Sequence, residues 1–423
     1  MTCSHCSIGV WSSSLEASVV LRNDGSESRG WRDDCRGFSL VCMTSSNPQP
    51  FRVLIAGGGV AALEAALALR DLAGERISTT LLAPEPEFVY SPMRVREPFA
   101  YSAAQHYPLA EITRDIGVEL KQDAFKWLEP EGRVVHTEAG EQLHYDALLL
   151  ALGAILRPRF KHALTLDDRR LDEQLHGLIQ DVEGGYVHKL AFVVPQPVPW
   201  PIPIYELALM TARRAWDMNE DVSITLVTPE DAPLAIFGRA VSDAVERLLE
   251  EHGILTITSA HCETPQPGQV SIHPGTRRLH VDRVIALPEL LGPSTPGVPK
   301  AAANGFIPID VHCQVPGIER VYAAGDATDF AVKHGGIAAQ QADTAAEAIA
   351  ALAGAPIEPT KFHPLIHAIL LGGEKPLYLS AHITGGHGSS SEISEEPTWS
   401  PPTKIAAKYL APYLESRDRA ALR

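Results

Sequence analysis

Basic residues are in deficit in this 423-residue chain: 36 Lys and Arg stand against 52 Asp and Glu, a formal charge of -16. That balance excludes the basic face that phosphate-backbone binding needs, so nucleic acid is not an expected partner. It also disfavours broad electrostatic docking on an anionic membrane. No uncharged apolar run approaches the ~18 residues of a spanning helix. Cysteine is sparse beyond residue 42, where only Cys262 and Cys313 remain, neither with a CxxC or CxxxxC partner. A local redox disulfide is therefore not expected, and both thiols read as small buried hydrophobes. Hydrophobic residues at 45% and charged ones at 21% are ordinary for a soluble globular chain, and the length implies two or three domains. The expected location is cytoplasmic, with loose attachment to a membrane surface as the alternative.

The other four cysteines, Cys3, Cys6, Cys35 and Cys42, crowd the first 42 residues. The opening "CSHC" invites a zinc knuckle, but Cys35 and Cys42 do not make a second CxxC, and no metal is expected. Residues 1–49 read as a disordered extension without the pattern of a signal peptide, and Met43 is an alternative start.

"RVLIA" at 52–56 is a near-continuous apolar run, as a strand buried on both faces requires. "GGG" follows, then the helical "VAALEAALALRDL" and a second strand, "ISTTLLA", together a βαβ unit. "GRVVHTEAGEQLHYDALLLALGA" reads as a hairpin turned at Ala139-Gly140 and a buried strand ending at Gly153. Residues 188–290 repeat the strand–helix theme, and "IERVYAAGDAT" with "GIAAQQADTAAEAIAALAG" adds one more strand and helix. "GGHGSSSEISEEPTWSPP" reads as a mobile or irregular surface segment.

Gly57-Gly58-Gly59-Val60-Ala61-Ala62 fits G-x-G-x-x-A between strand and helix. The first glycine permits the tight turn, Gly59 lets backbone approach a pyrophosphate, and Ala62 lets helix and strand pack closely. Free N–H groups and the helix dipole then face the phosphates. A glycine turn with a packing role alone is the alternative. The acid expected after the second strand is absent, Ala83 standing in its place; Glu85 or Glu87 lies within reach.

The glycine loop 57–62, "YDALLLALGA" at 145–154 and "VYAAGDAT" at 321–328, in this order, resemble motifs of the two-dinucleotide-binding-domain flavoproteins. That is the pyridine nucleotide–disulfide oxidoreductase group, and within it the look is nearest to sulfide:quinone reductases and type II NADH dehydrogenases. Leu152 departs from the family's usual Thr, and the likeness covers roughly residues 50–350. The resemblance implies an α/β fold with two Rossmann-like domains, the second inserted in the first. Expected boundaries are 50–155 and 291–354 for the FAD-binding domain, 156–290 for the second domain, and 355–423 for a C-terminal segment. It further implies FAD, with Asp326 on the sugar-alcohol arm, Gly153 and Gly325 among the cofactor-binding residues, and the helix start at Gly336 and Ile337 facing the flavin ring. A short Asp at a strand end suits a hydroxyl-bearing chain, although "GD" also opens ordinary loops.

When the two βαβ units are laid together on Glu64 and Glu206, Gly57 faces Pro199, Gly59 faces Pro201 and Ala62 faces Ile204. Proline has no N–H for a phosphate and cannot take positive φ, so a standard NAD(P) site is not expected in "PQPVPWPIPIYE". The sulfide:quinone reductases show the same loss. Glu230 sits where a ribose acid belongs, yet a loop acid is usually solvated. Without cysteines at the flavin, sulfide loses its mechanism. Arg94 or Lys333 offers charge to a reduced flavin, or is a surface charge. His363 and His367 have the i,i+4 spacing of a helical metal pair but lack an acid between them. "TKIAAKYLAPYLESR" carries a stripe of Ile405, Tyr409 and Leu410 that packs on the body or rests on a membrane. The expected function is an FAD-dependent oxidoreductase linking a small-molecule donor to a quinone or other acceptor. An NAD(P)H dehydrogenase with atypical binding and a non-catalytic flavin scaffold remain as alternatives.

Overall fold

A computed structural model describes residues 50–421 except 101–103, 168–170, 302–303 and 385–386. The N-terminal cysteines, with the zinc and extension readings, lie outside the described residues.

The strand Phe51–Ala56 is buried from Val53 to Ala56, at most 2% exposed, so both faces are covered, as its unbroken apolar run requires. It sits in the middle of a five-stranded parallel sheet in the order Val321–Ala323, Ala147–Leu150, Phe51–Ala56, Ile77–Leu82, Glu119–Lys121. The edge strand at 321 returns from far along the chain to pair with Ala147–Leu150. Between those two strands the chain forms a second five-stranded parallel sheet, in the order Leu164–Thr165, Arg283–Ala286, Lys189–Val193, Ser223–Val227, Ile254–Ile257. Two Rossmann-like units, the second inserted in the first, are therefore the architecture. The helix Val60–Ala73 packs along the helix Gly335–Leu352 through alanines, among them Ala61, Ala65, Ala338, Ala342 and Ala345, so the early and late halves of the first unit share one core.

One expectation needs correction, and the histidine spacing finds its place. His387–Ser394, inside the stretch read as mobile, is a strand that pairs with Leu377–Thr384, which pairs in turn with Leu365–Leu370. A neighbouring strand supplies the ladder bonds that Gly, Ser and Glu do not promise by propensity. His367 lies in the strand Leu365–Leu370 and His363 just before it, so the one-face helical geometry of a metal pair does not form.

The C-terminal segment packs on the body. Ile405, Leu410 and Leu414 are at most 5% exposed within the first unit's core. Two buried glutamates hold it. Glu64, on the first helix, accepts the N–H of Tyr409 at 2.8 Å and that of Leu410. Glu206, on the helix Ile202–Asp217, takes the Lys404 ammonium at 2.6 and 2.7 Å and the Leu371 N–H at 2.9 Å. The latter ion pair is almost fully buried, with side chains 7% and 1% exposed.

Removing the ammonium leaves a buried carboxylate with only the Leu371 N–H to offset its charge. Lys404→Met is expected to cost about 3–5 kcal/mol in urea denaturation. The double variant Glu206→Leu/Lys404→Met is expected to recover most of it. A single-variant loss below about 0.5 kcal/mol, the range of a bland surface change, contradicts the clamp.

Candidate functional site

At the first glycine turn each position has its own reason. Gly57 has φ +128° and donates to the Leu82 carbonyl at 2.8 Å, and a Cβ there would lie 2.0 Å from the Ala151 carbonyl oxygen. At Gly58 a Cβ would press on Leu109 and Ala83, at 2.9 and 3.0 Å. Gly59 is different: it is exposed, has an ordinary φ of -91°, and a Cβ there would meet nothing within 4 Å. It opens the helix without a side-chain cap, so the first-turn amides around Val60, Ala61 and Ala62 stand at the positive end of a 14-residue helix. Ala62 is fully buried at the helix–sheet contact. Ala83 is also buried and donates to the Lys121 carbonyl, while Glu85 is exposed in the bend that follows.

The late motif arrives beside this turn. Ala324 donates to the Leu150 carbonyl, and Gly325, at φ +77°, donates to Gln341 Oε1 at 2.8 Å. A Cβ on Gly325 would stand 3.3 Å from the Cβ atoms of both Ala61 and Ala338. Asp326 is thereby brought next to the first turn of the first helix, although 265 residues separate it from Ala61 (326 minus 61). Gly153, at φ +69°, follows the strand Ala147–Leu150 with open space above it. The helix start has its own internal bonding. The Gly336 N–H donates to the Nδ1 of its own N-cap, His334, at 3.2 Å, and Ile337 is 1% exposed in the core. Gly335, not these two, borders the cavity described next. Arg94 is half-buried, with its Nε lacking a partner among the described residues.

A cavity of about 220 Å³ opens where the two units meet. Trp200, Pro203, Leu207, Leu287 and Ile369 wall one side; Asp326, Lys333, His334 and the Glu206–Lys404 pair supply its polar atoms. Lys333 is not a surface charge: it is 8% exposed, and burial pushes its ammonium down to about 8. Burial likewise pushes His334 down to about 3, leaving a neutral ring. The Trp200 ring lies 4.4 Å from that ring, and its other edge meets Phe237 at 5.8 Å.

The proline loop forms the cavity's roof. Pro201 caps the helix Ile202–Asp217, Pro203 lies in its first turn, and the Ile204 N–H is already bonded to the Pro201 carbonyl at 3.1 Å. No amide of Pro199, Pro201 or Pro203 exists to hold a phosphate. Glu230 is not a solvated loop acid. It accepts the Tyr205 hydroxyl at 2.7 Å and the Thr228 hydroxyl at 2.9 Å, and Tyr205 comes from the very helix that follows the prolines. Burial lifts the Glu230 carboxyl to about 7, against the pull of those two hydrogen bonds. The two cysteines are also settled. Cys313 is wholly buried in the first core and Cys262 half-buried against another cluster, with both thiols pushed up to about 12 by burial.

Sequence reasoning missed the Glu206–Lys404 pair and the Trp200–His334 contact. Glu64 and Glu206 were visible as matching positions, but nothing local announces a partner near residue 404. The raised carboxyl at Glu230 has a measurable sign. The folded form binds the proton more tightly than the unfolded chain, so this group's contribution falls as pH rises from about 4.5 to about 7. Glu230→Gln is expected to flatten that part of the stability–pH curve in urea denaturation; parallel curves for the two proteins contradict the burial argument.

Comparison with known proteins agrees with this geometry. The model of the pyridine nucleotide-disulphide oxidoreductase family matches residues 51–181 and 206–350, leaving out the strand and proline loop between them. An NADH dehydrogenase-like protein of Mycobacterium tuberculosis is 24% identical over 294 residues, 65% of this chain and 72% of that protein. A sulfide-quinone reductase of Aquifex aeolicus is 26% identical over 103 residues, 24% of each chain. Among solved structures, the sulfide:quinone oxidoreductase of Aquifex aeolicus superimposes with a TM-score of 0.71 at 20% identity, over 82% of this chain and 87% of that one. NDH2 of Plasmodium falciparum does so with 0.55 at 15% identity, over 68% and 66%. With two matched segments covering most of its length, both Rossmann-like units included, the chain belongs to the pyridine nucleotide-disulphide oxidoreductase family.

Proposed function

We propose that this protein is an FAD-dependent oxidoreductase that passes electrons through a bound flavin to a quinone or another acceptor, without a standard NAD(P) site. The observation that carries the reading is the contact of Gly325 with Ala61, which sets Asp326 beside the glycine turn. In this reading the turn of Gly57, Gly58, Gly59, Val60, Ala61 and Ala62 holds the pyrophosphate, Gly57 by making the tight turn and the residues after it through backbone N–H groups. Glu85 serves the adenosine ribose. Gly153, Gly325 and Asp326 line the path of the sugar-alcohol arm, and the helix start at Gly336 and Ile337 lies toward the ring. FAD, when bound, supplies the redox chemistry by taking up a hydride or electrons and passing them on. The chain's own residues orient, exclude water and set local charge, and no side chain is assigned as a catalytic acid or base.

The domain limits that go with this reading are 50–155 and 291–354, 156–290, and 355–423. The open space above Gly59 fits a phosphate at that turn, and the sealed roof supports loss of the dinucleotide from the second unit. Among the described residues no helix is long and apolar enough to cross a membrane. A cytoplasmic enzyme that touches a membrane when its acceptor is lipid-borne is the location we propose. The resemblance to an NADH dehydrogenase-like protein favours a second reading, in which a nicotinamide binds by an atypical route.

Gly59→Ala separates fold from cofactor, because its backbone suits alanine and its Cβ meets open space. Stability is expected to stay within about 0.5 kcal/mol, while flavin retained per chain drops roughly tenfold, a loss of about 1.4 kcal/mol in binding. A full flavin complement in the variant contradicts the phosphate assignment. For the second reading, stopped-flow mixing of flavin-loaded protein with NADH or NADPH is expected to leave the visible spectrum unchanged on the turnover timescale. Rapid bleaching by either nucleotide overturns the closed-site reading and selects the alternative.

A further inference from the structure

A groove lies at the other end of the second parallel sheet. Asp221 and Val222 lead into the strand Ser223–Val227, and His252 and Gly253 into Ile254–Ile257, so it borders strand starts. Nucleotides sit at the carboxyl ends of such strands, and the groove shares no lining residue with the cavity between the units. Its volume is about 970 Å³, at the top of the roughly 300–1,000 Å³ of small-ligand pockets. The helices Ile202–Asp217 and Arg239–Glu251 both end at it, so two negative dipole ends converge there. Ala212, Ala215, Leu248 and Leu377 give it an apolar lining, and Trp216 stands beside them 81% exposed. Five lining carboxylates, Glu220, Asp221, Glu251, Glu374 and Glu395, face two lining cations. Both cations are engaged: Arg213 holds Asp217 at 3.2 Å and Lys375 holds Glu395 at 3.0 Å.

We propose that this groove docks a basic amphipathic segment of a partner protein, its apolar side chains on the alanine and leucine lining and its Arg or Lys side chains over Trp216 and beside Glu220 and Glu251. Charge complementarity selects the occupant. An acidic segment, a phosphate chain or an anionic lipid surface meets repulsion from the carboxylates and the two helix ends. A small polyamine has the charge but no side chains for the apolar lining. An Arg guanidinium is drawn to the face of an exposed indole, and the carboxylates around it steer a cationic partner inward. Apolar contact along the groove then holds the segment in place. The site needs no flavin and no electron transfer, so it stands apart from the redox reading.

The test is fluorescence anisotropy of labelled short peptides titrated with the full chain, with and without added FAD. The probes are a peptide alternating Arg pairs with Leu pairs, the same peptide with Glu for Arg, and the same with Ser for Leu. The Arg–Leu peptide is expected to bind saturably at roughly micromolar concentration in low salt, with or without FAD, and to weaken as salt rises. The Glu–Leu peptide is expected not to bind, and the Arg–Ser peptide to bind at least about tenfold more weakly. Trp216→Ala is expected to weaken the Arg–Leu peptide about tenfold, and Trp216→Phe, which keeps an aromatic face, by about threefold or less. Glu220→Gln/Glu251→Gln is expected to cost about tenfold and to flatten the salt dependence. Glu75→Gln/Glu131→Gln makes the same charge change on exposed carboxylates of the first unit and is expected to alter nothing. Thermal melts establish that each variant is folded. Equal losses in the two double variants, or indifference to Trp216→Ala, overturn the proposal, because the peptide then reads only the chain's net charge of -16. So does binding of the Arg–Ser or Glu–Leu peptide as tight as that of Arg–Leu, or no saturable binding up to roughly 100 μM.

Discussion

The close approach of two alanine-faced helices governs this molecule. Ala61 on Val60–Ala73 and Ala338 on Gly335–Leu352 stand on either side of Gly325, so near that even one added carbon on Gly325 touches both. Side chains this small let two helix N-terminal regions from opposite ends of the chain converge on one place. Larger residues would separate them, and Asp326 would move away from the glycine turn with its own helix. The site therefore depends on volume before it depends on charge.

The second unit keeps the shape of a nucleotide fold, and in our reading it does so without the ligand. Parallel strands, crossover helices and the acid after the second strand all persist. What changed is where the hydrogen bonds go. Prolines remove the amides, Tyr205 occupies the carboxylate that would face a ribose, and Trp200 lies against His334 from the neighbouring unit. Each substitution satisfies a group internally that an open site leaves available. The family match breaks off across 182–205, the stretch that holds the proline loop.

Most of the architecture was legible because it is written in local patterns. Apolar runs such as "RVLIA", glycines at strand–helix turns and alanine-rich helices speak for themselves, and three ordered motifs specify the inserted topology. The proline loop was legible for a negative reason, since a missing N–H is a property of one residue type. What escaped detection was non-local. The burial of Lys333, the neutral His334 and the partner of Glu206 depend on which distant segments pack together. The strand His387–Ser394 escaped for a related reason: its composition argues for irregularity, and only its neighbour's ladder makes it extended.

The position of Lys404 in the chain has a consequence for biosynthesis. Its ammonium completes the wall between the two units, yet it follows every strand of both parallel sheets along the chain, so it leaves the ribosome after them. Both parallel sheets can form while that wall is still missing, with Glu206 waiting beside water. The growing polypeptide thus passes through a stage in which the scaffold is built and one wall of its pocket is missing, until Lys404 emerges to supply it.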